Sequence, residues 1–510
     1  MKYLIGIDVG TTGTKTIIID EKGNLIASAL EEYALSTPRP KWAEQNPEDW
    51  CQATFKSIKR AIIDSRVNSE DIAGVGLSGQ MHGLVLIDKY YKVLRPAILW
   101  CDVRTTDQCH YITEKVGKDL LVKSTCNPAL EGFTAPKLIW VRDNEPEIYE
   151  KAFKMLLPKD YVRFRLTGEL ASEVSDAAGT ILFDVRNRRW SQEVLEKLDV
   201  SPDLMPPCYE SIDICGRITS EIAEITGLKP GTPAVGGGAD NACTAVGNGI
   251  VVTGRTSASI GTSGTMLTPT DTPEVDPGLR AHTFCHCVPN KWYVMGVMLS
   301  AGGAFRWFRD ALGDKEVQQA KENGVDPYEI LTEEAAQVEP GAEGLVFLPY
   351  LIGERTPHGD ANAKGVFFGL TLRHRKEHLV RSVMEGVTYG MRDSLEIIKG
   401  LGLNTGQIRA TGGGARSSLW RQMQADIYGA EVVTINIAEG PAFGAAILAG
   451  VGAKLYGEVQ EVTDEIVKVT SRTKPIESNQ NAYNAYFQVY RSLYPSLKAQ
   501  FDRISDLVLR

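Results

Sequence analysis

Two nearly identical glycine- and threonine-rich turns lie about half a chain apart in this sequence of 510 residues. The first, within Asp8–Lys15, has Gly-Thr-Thr-Gly-Thr at its centre, and the second, within Ser259–Met266, has Gly-Thr-Ser-Gly-Thr. Each follows an apolar, β-rich stretch, Tyr3–Ile7 or Thr256–Ile260, and is predicted to be a tight turn after a strand. Such a turn directs N–H groups and hydroxyls to one point, which suits phosphate oxygens. We expect two related halves that hold one polyphosphate across a cleft; two ordinary hairpins are the structural alternative.

The two copies differ in one residue that bears on chemistry. The first copy has a carboxylate, Asp8, where the second has Ser259. A carboxylate beside a phosphate needs a cation between them, and Mg²⁺ is bound by oxygen ligands of both kinds. Asp8 is therefore a candidate metal-side residue, and closing a hairpin is its alternative role.

Strand-like and helix-like patterns alternate along the chain, which predicts an α/β fold. The length indicates about two to four domains. The clearest boundary falls near residue 250, just before the second turn, and divides the chain into 1–250 and 251–510. Besides the strands that flank the turns, strands are predicted at 72–77, 84–87 and 407–410, and helices from Pro47 onward and at 371–400, 417–428, 440–450 and 480–505.

Charge and cysteine content restrict the partners and the compartment. The net charge is −9, without a basic tail or block, which disfavours nucleic-acid and membrane-surface partners. The nine cysteines are scattered without a C-x-x-C pair, as in the reduced thiols of a cytoplasmic protein. Asp8 interrupts the first apolar run, so no signal peptide is expected, and no uncharged stretch approaches the roughly 20 residues of a membrane span.

A triple-glycine segment, Gly236–Asn241, follows the apolar stretch Pro233–Val235 and precedes a helix-like stretch, Ala242–Val246. Glycines let another group approach the backbone closely. Asp240 is predicted to lie where a strand ends and a helix begins, facing the cleft. That position suits a general base for a substrate hydroxyl, and an N-cap aspartate is an equally good interpretation.

Two more segments are candidate binding loops. Thr411–Ser417 lies between a predicted strand and helix, where glycines and helix amides admit a flat ring or a phosphate; a flexible turn is the alternative. Ser78–Gly83 is a polar loop between apolar strands. Its His82, a neutral or cationic donor, would hydrogen-bond a polyol or serve a structural role.

Three familiar motifs do not apply. There is no G-x-x-x-x-G-K-[ST] motif, and the G-x-G-x-x-G match at Gly74–Gly79 is followed by a loop and a strand rather than a helix. His282–Cys287 contains two histidines and two cysteines, but no second ligand pair stands at zinc spacing. A strand with core cysteines is the better interpretation.

Taken together, these elements resemble the FGGY carbohydrate kinases, within the actin/hexokinase/Hsp70 superfold. The two phosphate motifs of that family are similar to Asp8–Lys15 and Ile260–Thr265. Its adenosine motif is similar to Thr411–Ser417, and its catalytic-base segment is similar to Gly236–Asn241. Its two signatures are resembled by Gly132–Trp140 and by Gly365–Leu370 with the following His378–Glu385. Within the family, Gly79–Gly83 and Arg95–Trp100 are similar to the xylulokinase group, and the Met-His pair separates that group from glycerol kinases.

The resemblance implies two actin/hexokinase-like (ribonuclease H-like) lobes flanking a catalytic cleft, with sugar and phosphates on the 1–250 side and nucleotide on the 251–510 side. It implies transfer of a phosphoryl group from ATP to D-xylulose, with Asp240 as base and Mg²⁺ near Asp8 and Asp240. The implied sugar contacts are Met81, His82, Asp240 and Asn241. The implied nucleotide contacts are Thr11, Thr12, Thr262, Ser263, Gly302, Gly413 and Ser417.

Two alternatives remain at this point. One is a kinase for another polyol or ketose, such as ribulose or gluconate. The other is a non-catalytic, actin-like nucleotide switch or sugar sensor, which would need no base at Asp240. Oligomeric state is open, and a homodimer is one expectation.

Overall fold

Two seven-stranded β-sheets form the framework of the protein, whose computed structural model describes residues 1–508. The strands of the first sheet are β1 (Tyr3–Val9), β2 (Gly13–Asp20), β3 (Leu25–Glu32), β4 (Ile72–Gly79), β5 (Ile214–Arg217), β6 (Pro233–Val235) and β7 (Gly238–Ala239). Those of the second sheet are β8 (Arg255–Ile260), β9 (Gly264–Thr270), β10 (His282–Cys285), β11 (Trp292–Met298), β12 (Gln407–Gly412), β13 (Glu431–Ile435) and β14 (Val469–Thr473).

Both sheets repeat one arrangement. The first strand of each, β1 or β8, pairs antiparallel with the strand after its turn and parallel with a later strand, β4 or β12. A further parallel strand, β6 or β13, extends each sheet. The resulting orders are β5-β6-β4-β1-β2-β3, with β7 added to β4, and β10-β11-β9-β8-β12-β13-β14. The two-lobed α/β fold expected from the sequence is confirmed.

Helices cover the sheets and connect them. The longer ones are α1 (Pro47–Ser65), α2 (Thr106–Val116), α3 (Thr134–Asn144), α4 (Pro158–Thr167), α5 (Asp240–Gly247), α6 (Gly302–Leu312), α7 (Asp314–Asn323), α8 (Pro327–Ala336), α9 (Lys376–Gly400), α10 (Ser418–Tyr428), α11 (Gly440–Gly452), α12 (Val459–Ile466) and α13 (Glu477–Val508). Shorter helices span Lys118–Leu120, Pro146–Lys151, Val174–Ala177, Gln192–Leu198 and Ser220–Thr226. None of the helices in residues 1–508 combines the length and apolarity that a bilayer crossing requires.

Minor strands pair locally, away from the two sheets. The pairs are Glu44–Gln45 with Ala97–Ile98, Val85–Ile87 with Lys154–Leu156, Ser172–Glu173 with Cys208–Tyr209, Phe183–Asp184 with Arg189–Trp190, and Val346–Leu348 with Val366–Phe368.

Helix α11, from the second half of the chain, lies against the first sheet. Glycines make this close approach possible: a Cβ added to Gly6 of β1 would stand 1.8 Å from the carbonyl oxygen of Ala442, and one added to Gly76 of β4 would stand 2.0 Å from that of Ala445. The same helix meets α5 through Gly444, whose added Cβ would stand 1.9 Å from the oxygen of Cys243. One face of the first sheet is therefore covered by a helix from a distant part of the sequence.

Two predicted helices differ from the observed ones at their ends. The helix predicted at 371–400 begins at Lys376. The preceding residues form a turn, because ring nitrogens of His374 and His378 accept hydrogen bonds from the backbone of Thr371 (2.9 Å) and Arg375 (3.2 Å). The helix predicted at 480–505 extends over Glu477–Val508, and its inner side contributes buried aromatic residues such as Tyr483 to the core.

Candidate active site

Asp8 and Asp240 come close together because one strand, β4, pairs with both segments that carry them. Ser78 of β4 is the partner of Asp8 in β1 and of Gly238 in β7. Asp240 follows β7 directly and is the first residue of α5, while Ala239 occupies the N-cap position. The predicted strand-to-helix position of Asp240 is confirmed, and the N-cap interpretation is wrong.

Burial controls the protonation of both carboxyls. It raises the pKa of Asp8 to about 6, and Ser78 and Lys15 partly offset this. It also raises the pKa of Asp240 to about 7, with the negative charge of Asp8 as the second cause and hydrogen bonds from Asn241 as the opposing one. Two carboxyls whose pKa values lie near neutrality can exchange protons with a substrate at physiological pH.

The two oxygens of Asp240 have different surroundings. Its Oδ1 accepts hydrogen bonds from the backbone N–H of Asn241 (2.7 Å) and from the Asn241 side chain (3.0 Å). Its Oδ2 receives no hydrogen bond from residues 1–508. Asn241 thus fixes the orientation of the carboxylate and leaves one oxygen able to accept a proton.

The surroundings of Asp8 fit a divalent cation whose remaining ligands would include phosphate oxygens. Its Oδ1 is buried without a hydrogen-bond partner in the described part of the chain, while the nearby Lys15 pairs with Glu439. No cluster of three or more His, Cys, Asp or Glu residues suited to a metal occurs in residues 1–508. A site with one or two carboxylates, waters and substrate phosphates is the usual setting of Mg²⁺.

His82 has a left-handed backbone conformation, with φ at 68°, and its ring is anchored from a distant segment. The Nδ1 atom lies 2.7 Å from the carbonyl oxygen of Gly179. Burial, together with the charge of Lys137, lowers the pKa of His82 well below its usual value. The ring is therefore neutral, Nδ1 carries the proton, and Nε2 is an acceptor. This corrects the expectation that His82 acts as a donor.

The sugar-loop candidates Met81 and Asn241 lie together, since the side-chain nitrogen of Asn241 is 3.8 Å from the Met81 sulfur. The same loop is tied to the first turn. Gln80 accepts a hydrogen bond from the hydroxyl of Thr11 (3.2 Å) and donates one to the carbonyl of Gly10 (3.2 Å). The loop and the turn thus form one connected unit.

The predicted phosphate donors of the first turn differ in availability. The hydroxyl of Thr11 accepts a hydrogen bond from the Trp100 indole (2.9 Å) in addition to its bond to Gln80. Thr12 is exposed at the tip of the turn. Thr12 is therefore the freer of the two to bind a phosphate.

In the second turn, carbonyl groups hold the N-terminus of α6. The oxygen of Gly261 accepts from the N–H of Gly302 (2.8 Å), and that of Thr262 accepts from Ala301 (3.0 Å) and Gly303 (2.9 Å). A Cβ on Gly302 would stand 2.4 Å from the oxygen of Gly261. Gly302 thus allows close packing of the helix on the turn, and its N–H already donates to the carbonyl of Gly261.

A cavity of about 810 Å³ brings together four of the predicted nucleotide contacts. They are Thr262, Gly302, Gly413 and Ser417. Ser417 also caps α10, accepting a hydrogen bond from the N–H of Trp420 (3.2 Å). Ser263 is exposed on the adjacent turn. The second lobe therefore presents a wide cavity beside its turn.

Several lining residues were not predicted. Arg306 donates a hydrogen bond to the Thr262 hydroxyl (3.0 Å), and Arg309 lies over the Tyr328 ring, 5.0 Å from its centre. Arg306 and Arg309 are three residues apart on α6, so the sequence spacing could have predicted that they lie on the same helix face. Tyr328 and Arg416 also line the cavity, and no local pattern marks Tyr328.

The His282–Cys287 segment is part of the core, as expected. Cys285 and Cys287 are fully buried, and β10 ends at Cys285. His286 is buried as well, with Nε2 lying 3.0 Å from the carbonyl oxygen of Ile250.

Comparison with known proteins agrees with this architecture over the full length. Residues 3–247 match the N-terminal domain of the FGGY family of carbohydrate kinases, and residues 256–453 match its C-terminal domain. The chain is 41% identical to the xylulose kinase of Bacillus subtilis (strain 168), covering 98% of each chain. It is 33% identical to the gluconokinase of the same organism, covering 99% of this chain and 98% of the relative.

A solved structure gives the same result. The ligand-bound xylulose kinase from Lactobacillus acidophilus superposes with a TM-score of 0.92 at 26% identity, covering 99% of this chain and 100% of that one. The resemblance found in the motifs is confirmed, and the chain belongs to the FGGY family of carbohydrate kinases.

Proposed function

We propose that this kinase transfers the γ-phosphoryl group of ATP to the terminal hydroxyl of D-xylulose, giving D-xylulose 5-phosphate and ADP. The observation that carries the proposal is the carboxyl of Asp240, which has a raised pKa of about 7, one unbonded oxygen and Asp8 as neighbour. Relatives of the chain that bear the name xylulose kinase support the choice of sugar.

Asp240 acts as the general base in this proposal. As the sugar oxygen forms its bond to the γ-phosphorus, the bond from phosphorus to the β–γ bridging oxygen breaks. The hydroxyl proton moves to Asp240 Oδ2, while Asn241 holds Oδ1. Phosphoryl transfer requires mainly positioning and charge stabilisation. Mg²⁺ held by Asp8 and Asp240 would neutralise charge on the phosphates.

The two lobes divide the substrates. Residues 1–250 hold the sugar, with Met81 as an apolar wall and His82 Nε2 accepting a hydrogen bond from a sugar hydroxyl. Residues 251–510 hold the nucleotide in the cavity beside Gly413 and Ser417. Thr12, Thr262 and Ser263 donate to phosphates from opposite sides. Closure of the lobes excludes water as a rival acceptor.

The test is Asp240→Asn, which keeps the shape and the Asn241 contacts but removes the base. Turnover with D-xylulose should fall by about 10²- to 10⁴-fold while the sugar still binds. The measurement is sugar-dependent ADP release, with calorimetry for sugar affinity. A folded variant that retains wild-type turnover would exclude Asp240 as the base.

The sugar itself is tested with a panel. D-xylulose, D-ribulose and D-gluconate are compared by kcat/KM, and D-xylulose is expected to give the highest value. Gluconate is the second candidate, since the 33% identity to a gluconokinase spans nearly the whole chain. A higher kcat/KM for gluconate would transfer the proposal to that acid.

A further inference from the structure

Arg355 extends from the second lobe toward the sugar loop of the first. Its loop is fixed on β11, because Thr356 donates its N–H to the carbonyl of Val297 (3.0 Å) and accepts the Val297 N–H on its hydroxyl (3.0 Å). Glu354 Oε1 also accepts N–H groups of Leu299 (3.0 Å) and of Arg355 itself (2.8 Å). The backbone that carries Arg355 is thus well anchored.

The guanidinium reaches across the cleft. Its Nη2 lies 3.7 Å from the point where a Cβ on Gly132 would stand, next to the carbonyl oxygen of Trp100. Burial is the main cause that lowers the pKa of His82 and of His282, and the charge of Arg355 adds to the lowering of both; Glu131 and Glu354 are the carboxylates that act on Arg355. Arg355 is therefore close to the loop that carries His82.

This arginine has no protein partner for its donors. Within residues 1–508 its side chain makes no hydrogen bond, and no carboxylate lies within 4.0 Å. By contrast, two buried arginines are paired with carboxylates: Arg163 lies 3.0 Å from Asp160, and Arg381 lies 2.7 Å from Glu385. Its five N–H donors are unbonded by the described residues and can therefore bind a ligand that supplies oxygen acceptors.

His82 and Arg355 offer complementary chemistry. His82 Nε2 is an acceptor and takes a hydroxyl proton, whereas a guanidinium only donates. Asp240 binds the hydroxyl that receives the phosphoryl group, so the two residues from opposite lobes are left for the other end of the sugar. A ketose has a carbonyl oxygen near that end and an aldonate has a carboxylate there, while an alditol has only hydroxyls.

We infer that Arg355 is a specificity-determining residue that donates hydrogen bonds to the carbonyl-type oxygen at the end of the sugar opposite the phosphorylated hydroxyl. The inference rests on the proposed function and deepens it. It explains how one framework would serve both a ketose and an aldonate, since both present such an oxygen.

The experiment compares Arg355→Gln and Arg355→Lys with the control Arg373→Gln. Arg373 is an exposed arginine paired with Glu343. The substrates are two matched pairs, D-xylulose with xylitol and D-gluconate with D-glucitol. For the carbonyl-bearing sugar that the wild type phosphorylates, Arg355→Gln should raise the KM about ten- to a hundredfold. This is the size of the effect of losing one charged hydrogen bond. The KM for the alditol and for ATP should hardly change, Arg355→Lys should recover part of the loss, and Arg373→Gln should match the wild type.

Three outcomes would overturn the inference: an unchanged sugar KM, an equal rise for both members of a pair, or a fall in melting temperature with proportional loss of every activity. Failure of the proposed function looks different, because the wild type would then phosphorylate no member of either pair. In that case calorimetric binding of D-xylulose decides, and equal affinities of wild type and Arg355→Gln would reject the role of Arg355.

Discussion

The two glycine–threonine turns have the same scaffold but different surroundings. In the first lobe, the turn is bonded to the Ser78–Gly83 loop through Gln80 and lies beside the carboxylate of Asp8. In the second lobe, the turn is bonded to the start of α6 and has Ser259 at the position of Asp8. One repeated strand-turn-strand unit thus has a carboxylate and the Ser78–Gly83 loop beside its first copy, and a serine and the start of α6 beside its second.

This difference is the structural basis for the separate roles proposed for the two turns. Both copies are antiparallel strand-turn-strand units, but their registers differ by one residue: Asp8 pairs with Lys15, whereas Ser259 pairs with Thr265. The charged side chains also differ, since the first copy has Asp8 and Lys15 where the second has Ser259 and Met266. A different element packs behind each turn. Substitutions at matched positions of the two lobes should therefore have very unequal effects.

The largest inequality is expected between Asp8→Ala and Ser259→Ala. Asp8→Ala removes the proposed metal-side carboxylate and should lower kcat by about a hundredfold or more, the size of loss seen for a preorganised charge-stabilising group. Ser259→Ala should keep near-wild-type turnover. Titration of activity with Mg²⁺ provides the measurement, and similar losses in both variants would refute the division of roles.

His82 and Gly413 should separate the two substrates. His82→Ala removes the proposed acceptor for a sugar hydroxyl and should lower kcat/KM for D-xylulose by about ten- to a hundredfold. Gly413→Ala should instead raise the KM for ATP, because its new methyl group would project toward the cavity with only ordinary contact, 3.7 Å from the oxygen of Ile260. Steady-state kinetics with each substrate varied in turn would show whether His82→Ala affects mainly D-xylulose and Gly413→Ala mainly ATP.

Neighbouring glycines of the second lobe should differ in stability. Gly412 has φ at 73°, and an added Cβ would stand 2.5 Å from the oxygen of Ile260. Gly412→Ala should therefore lower the free energy of unfolding by about 1–3 kcal/mol, whereas Gly413→Ala should leave it nearly unchanged. Chemical denaturation of both variants is the check, and equal midpoints would contradict the strain at Gly412.

The smallest expected effects concern pH. Asp240 must lose its proton to act as base, so kcat/KM should fall below about pH 7, where its pKa lies. Asp8→Asn removes the charge that helps raise this pKa and should move the acidic limb to lower pH. If the acidic limb of the pH profile lies at the same pH in Asp8→Asn as in the wild type, Asp8 does not act on Asp240.

Stability should respond to pH through the same carboxyl. The folded pKa of Asp8, about 6, lies above the ordinary value of 3.8, so the folded state binds more protons between these values and loses stability as pH rises through them. Asp8→Asn should therefore melt at a higher temperature than the wild type at pH 8. The difference should be small at pH 4, and a lower melting temperature at pH 8 would contradict this assignment.

Local patterns in the sequence predicted several structural features of the candidate site. The duplicated turns, the strand-to-helix position of Asp240 and the glycine loop before α10 depend on residues that are neighbours in the chain. The tautomer of His82 depends on Gly179, Arg355 comes close to Gly132 from the other half of the chain, and Tyr328 reaches the cavity from α8. Such long-range contacts have no periodic or motif signature, which explains why these features were missed.

The packing of α11 on the first sheet has a consequence for synthesis of the chain. The groove formed by Gly6 and Gly76 is made at the start of translation, but the helix that fills it spans Gly440–Gly452. At about 5–20 residues per second, the first sheet would wait tens of seconds on the ribosome with this apolar groove uncovered. The protein's first lobe can therefore reach its final packing only after most of its second lobe has been translated.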